Sequence, residues 1–155
     1  MQSSFLTRWY ALENFSGNKT EFWKIAMRPG KPLLFSKINN TPLIGLPGNP
    51  VSSGVCCLIF VNIAIRVMLG DTNEFPVFEN ATLDGELPQN DRRFDFVRAN
   101  ISNRSGNTHV TPISTQDSSM ITKFSYSDCL ITIEPYDKIK NDGDIVKILK
   151  FPNNI

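Results

Sequence analysis

Between Leu43 and Gly70 the chain has few ways to fold. Leu43-Ile44-Gly45-Leu46 has the composition of a strand buried on both faces. Pro47-Gly48-Asn49-Pro50 then breaks the chain, and Pro50 suits the first position of a helix, where its missing N–H costs nothing. An apolar run from Val55 continues to Leu69, and Gly70 supplies a stop. The reading is a strand, a Gly/Pro loop and a helix.

Upstream, Phe22-Trp-Lys-Ile-Ala-Met-Arg28 alternates and ends at Pro29-Gly30, as a strand entering a tight loop does, and Leu33 to Lys37 is a second short strand. Asp71 to Pro76 is polar and marks a boundary. Beyond it short strands are expected at Val77 to Leu83, Phe94 to Ile101, Thr108 to Pro112, Cys129 to Glu134 and Ile145 to Leu149, with a weak helix at Ser118 to Tyr126. The expected domains are a divergent segment over 1–20, a partial α/β domain over 21–72 and a β-rich, barrel-like domain over 76–155.

Charge is unevenly spread. From Phe22 to Gly70 there is no Asp or Glu, while Lys24, Arg28, Lys31, Lys37 and Arg66 are cationic; the net charge of the whole chain is only +1. That balance argues against a nucleic-acid partner. Lys24, Arg28 and Lys31 flank Pro29-Gly30 with no carboxylate nearby in sequence, so they suit an anionic ligand, although a solvated basic face has the same composition. The Gly45 to Pro50 segment favours the ligand, because the N–H groups opening a helix beyond a strand attract anions. Gly48 lets backbone approach a ligand, and Pro47 and Pro50 stiffen the loop; a plain structural turn is the alternative.

Other chemistries find little support. No GxxxxGK[ST] or GxGxxG loop is present, no spacing marks a Ser-His-Asp triad, and the single His109 has no Cys or His cluster near it, so no metal ligands are assigned. Cys56, Cys57 and Cys129 include no CxxC pair and fit a reducing cytoplasm, and the first residues do not read as a signal peptide. The uninterrupted apolar run Val55 to Val61 is seven residues, with Asn62 and Arg66 beyond it, which reads as a buried helix and not a membrane span.

Phe22-Trp-Lys-Ile-Ala-Met-Arg-Pro-Gly-Lys-Pro32, followed by Gly45-Leu-Pro-Gly-Asn-Pro-Val-Ser52 and a long apolar helix, resembles the C-terminal portion of molybdopterin molybdenumtransferases, the MoeA and gephyrin E-domain family. The resemblance extends weakly over about Glu21 to Leu149. It implies the last part of a doubly wound, MogA-like α/β domain and then a small β-barrel. It also implies insertion of molybdate into adenylated molybdopterin with release of AMP, assisted by magnesium. By this carry-over Lys24, Arg28 and Lys31 lie near the bound anions with catalytic roles, and Pro47, Gly48, Asn49 and Pro50 line the loop beneath molybdate.

Phe96-Val-Arg98 resembles the family's strand with a site-facing arginine, and Gln116-Asp-Ser118 its Gln-Gly-Ser turn, so Arg98 and Ser118 become substrate-binding candidates in a neighbouring subunit's site. Asp117 departs from the family Gly. The family's Gly-Gly-Ser phosphate loop, its magnesium-binding acids and two N-terminal domains have no counterpart, so a truncated enzyme is expected, incomplete alone. It would work as a homodimer or with a complementing N-terminal chain. A noncatalytic anion-binding or scaffold remnant is the alternative. If the basic bend holds an anion, Arg28→Ala with Lys31→Ala should weaken molybdate or AMP binding; unchanged binding would favour the solvated-face reading.

Overall fold

A computed structural model describes residues 18–73, 76–114 and 124–152. Three strands, β1 (Asn18–Trp23), β3 (Leu34–Ile38) and β4 (Thr41–Gly45), form an antiparallel sheet in the order β1-β3-β4. Between β1 and β3 lies the two-residue strand β2 (Met27–Arg28). The strand expected over Phe22 to Arg28 is therefore two strands in two sheets. Lys24 at φ 66° breaks the extended backbone, and β2 leaves to pair in parallel with β6 (Phe94–Arg104), Arg28 opposite Asp95.

Nor is Leu43 to Leu46 buried on both faces. Among the described residues β4 is an edge strand bonded to β3 alone, its apolar residues are half-buried, and Pro42 inside it is tolerated because an edge needs no second ladder. A doubly wound sheet runs parallel, and these three strands do not show one.

Helix α1 runs Pro50–Met68, with a π-helical segment at Cys57–Val61. Asn49 caps it: the Ser52 N–H donates to Asn49 Oδ1 at 3.1 Å, and Pro50 occupies the first turn. Val51, Val55, Cys56 and Ile59 are buried, whereas Ile65, Val67, Met68 and Leu69 at the far end are exposed. By length and composition α1 is sufficient to cross a membrane. Its first half is instead occupied by protein, since Val55 and Ile59 pack with Met27, Phe96, Leu130 and Leu149.

The β-rich part matches expectation closely. β5 (Glu79–Leu83), β6, β7 (Asn107–Pro112), β8 (Cys129–Ile133) and β9 (Ile145–Lys150) run in the order β6-β7-β5-β9-β8, and a β6–β8 pairing closes them into a five-stranded barrel. Alternation decides what fills it: Val97, Ala99 and Ile101 of β6, with Cys129, Ile131 and Ile133 of β8, turn into a core shared with Leu83, Val110 and Ile148. Phe96 and Leu130 turn outward onto α1. β6 pairs with β8 over Asp95–Ala99 and with β7 over Ala99–Arg104, so one long strand spans the closure. The helix expected at Ser118 to Tyr126 lies mostly outside the described residues.

At the Pro29-Gly30 bend, Gly30 has φ +120°, and a Cβ there would sit 2.8 Å from Cys56 Sγ and 3.0 Å from Met27 Cε. Gly48 has no such constraint, for a Cβ on it would meet nothing within 4 Å. Gly30→Ala should therefore cost roughly 1–3 kcal/mol, the scale of a side chain forced into a glycine-only conformation. Gly48→Ala should be nearly neutral, and urea denaturation of the two variants measures the contrast.

Candidate functional site

Three pieces of backbone converge on one cavity of about 750 Å³. The bend after β2 supplies Arg28 and Pro29, the first turn of α1 supplies Val51 and Ser52, and the barrel supplies Asp95 and Arg98 from β6. The first Gly/Pro bend and the helix start that follows the second therefore border one cavity. Backbone bonds fix the first of them: Lys24 N–H donates to the Leu33 carbonyl at 3.1 Å, Ile25 N–H to Lys31 at 3.0 Å and Leu33 N–H to Gly30 at 3.0 Å. Phe94 N–H donates to Ala26 at 2.9 Å, tying the bend to the barrel.

Arg28 is not the unneutralised cation its neighbours in sequence suggest. Its Nη2 donates to Asp95 Oδ2, and its Nη1 lies 3.9 Å from Asp91. These carboxylates stand more than sixty residues downstream, and register across β2 and β6 brings Asp95 opposite Arg28. The Arg28 side chain is still 52% exposed, whereas that of Asp95 is 7% exposed. Asp91 is held in turn by Arg93, whose hydrogen bonds lower its carboxyl to about pKa 2, so it stays ionised near neutrality.

The other basic candidates are arranged differently. Lys24 places its ammonium 3.8 Å from the centre of the Trp23 ring, a cation–π contact, and Lys31 is exposed. Neither lines the cavity, and neither do Pro47, Gly48, Asn49 and Pro50. Asn49 works as a cap, occupying the Ser52 amide through its side chain and accepting from Ser53 N–H at 2.9 Å through its carbonyl. Two amides that the sequence assigns to an anion are therefore already bonded. Arg98 is 2% exposed and reaches the cavity wall on β6. Ser118 lies outside the described residues.

The rim carries residues that the motifs missed. Asn90 is buried and its Nδ2 donates to the carbonyls of Arg93 at 2.7 Å and Glu134 at 2.9 Å, fixing the loop that borders the cavity. Asp95 had one legible signal, a carboxylate inside the apolar alternation Phe94-Asp-Phe-Val. No group of three or more His, Cys, Asp or Glu that would hold a metal exists among the described residues, so the donor set does not fit magnesium. Cys56 and Cys129 are no nucleophiles, because burial pushes each thiol up to about pKa 12.

A family model described as the MoeA C-terminal region (domain IV) matches residues 80–151. A molybdopterin molybdenumtransferase of Haemophilus influenzae is 33% identical over 135 residues, covering 86% of this chain and 33% of the relative. One of Bacillus subtilis is 28% identical over 128 residues, covering 83% and 30%. The chain thus spans about a third of the length of these curated relatives. Among solved structures, a molybdopterin biosynthesis MoeA protein from Pyrococcus horikoshii superposes with TM-score 0.70 at 23% identity, over 93% of this chain and 34% of that one. A molybdenum cofactor biosynthesis protein from Pyrococcus furiosus gives 0.69 at 22%, over 86% and 46%. At these identities the structures establish the likeness of fold.

Removing Arg28 strands a buried carboxylate, a loss of roughly 1–3 kcal/mol. In a urea-denaturation cycle, Arg28→Ala and Asp95→Asn should couple by about 0.5 kcal/mol or more, as contacting residues do. Additive losses would mean that the pair contributes nothing.

Proposed function

We propose that the chain, whose residues 80–151 match the MoeA C-terminal region (domain IV), belongs to the MoeA family and acts in molybdenum cofactor biosynthesis. Its reaction is that of a molybdopterin molybdenumtransferase: molybdate enters the dithiolene of adenylated molybdopterin and AMP leaves. The observation that carries this reading is the cavity where the Pro29-Gly30 bend, the first turn of α1 and Arg98 meet. Arg28 and Arg98 are guanidinium groups at its wall, and a guanidinium fork matches the oxygens of phosphate and oxyanions.

In this reading residues 21–72 are the distal piece of a doubly wound, MogA-like α/β domain, and residues 76–155 are the barrel domain that closes one side of its site. Lys24 and Lys31 stand outside the cavity and add positive charge to its approach, and Pro47, Gly48, Asn49 and Pro50 support the helix start that lines it. Arg98 meets the ligand in the cavity of its own chain, not in a neighbouring subunit's as the family resemblance implies, and Ser118 serves the site of a neighbouring subunit in a homodimer, or of a complementing N-terminal chain. The place of action is the cytoplasm. Magnesium has no fitting ligands among the described residues.

The second reading, a noncatalytic anion-binding or scaffold protein of the same family, is favoured by one observation. The Ser52 and Ser53 amides are bonded to Asn49, and Arg28 is paired with Asp95, so part of the site's positive charge is already answered. Molybdate-dependent release of AMP from adenylated molybdopterin separates the two, assayed with this chain alone and with the N-terminal portion of a relative added. The enzymatic reading expects release in at least the second mixture, and silence in both leaves the scaffold.

A further inference from the structure

Asp95 is poorly explained as a structural residue. It sits at the head of β6, opposite Ile133 of β8, where alternation turns it to the same side as Val97 and Ala99 in the barrel core. The carboxylate is 5% exposed, and its Oδ1 is buried without a hydrogen-bond partner, a costly arrangement with only one oxygen answered. Local rules broken in this way point to function when a partner elsewhere needs the charge.

That partner is Arg28. Asp95 Oδ2 accepts from Arg28 Nη2 across the β2–β6 register, and Asp91, anchored by Arg93 at 2.6 Å, flanks Nη1 at 3.9 Å. Arg28 keeps half its side chain exposed and lines the cavity. A guanidinium carries five N–H donors in a rigid plane, so fixing one corner sets the direction of the rest. We propose that Asp95 is a positioning residue: from the barrel it fixes the plane of the Arg28 guanidinium, so that the donors left over face an oxyanion in the cavity. This rests on the reading of the cavity as an anion site, and it makes the barrel a working part of a site whose cation lies on the neighbouring strand β2.

The sign of one substitution separates this role from plain electrostatics. Asp95→Asn removes a negative charge beside an anion site and, by charge alone, would tighten molybdate. The positioning role expects the reverse. In calorimetry with sodium molybdate, affinity should fall about tenfold, the order of one charge-assisted hydrogen bond. Asp95→Glu, which keeps the charge, should recover part of it.

The second readout is nitrogen-15 NMR of the Arg28 side chain without ligand. Guanidinium rotation should be slow in the parent chain and fast in Asp95→Asn. Molybdate affinity equal or higher in folded Asp95→Asn overturns the proposal, as does free rotation of Arg28 in the parent. Should Asp95→Asn not fold, the parent spectrum and Asp95→Glu decide by the same criteria. A parent chain that binds no molybdate sinks the anion-site reading itself. The spectra alone then judge the clamp, upheld if Arg28 loosens in Asp95→Asn and removed if it does not.

Discussion

β6 is the strand on which everything else is hung. Its eleven residues pair with β8 and then with β7 to close the barrel, and its first two residues also take β2 in parallel. Val97, Ala99 and Ile101 fill the barrel while Phe94 and Phe96 pack toward α1, so the period of two divides the apolar residues of β6 between two cores. A one-residue slip would exchange Phe96 with Val97, send Arg98 into the barrel core and part Asp95 from Arg28. Register on β6 thus determines both the stability of the barrel and the cavity beside it.

Much of this was legible locally. The five barrel strands lie within one to three residues of where alternation and turn chemistry put them, because a half-buried strand writes its pattern into sequence. The start of α1 was readable from Asn49-Pro50, a cap followed by proline at the first turn. What was illegible is non-local. That β2 deserts its neighbours for the barrel depends on β6, and that Arg28 is answered by Asp95 depends on a contact 67 residues long. Counting charges within one segment therefore overstated how bare its cations are.

The helix raises a question of cover. Its first half is enclosed by the barrel and the bend, while Ile65, Val67, Met68 and Leu69 remain exposed beside an apolar groove formed with Phe22, Phe35 and Ile44. The chain spans about a third of the length of its curated relatives. An exposed apolar surface of this kind favours association.

The central claim is that the cavity between the bend, the helix start and β6 receives an oxyanion. Diffraction at the molybdenum edge from crystals soaked in molybdate tests it directly. The account requires an anomalous peak within hydrogen-bonding distance of Arg28, inside the cavity that Arg98 lines. Peaks only at outer lysines, with the cavity empty, would contradict it.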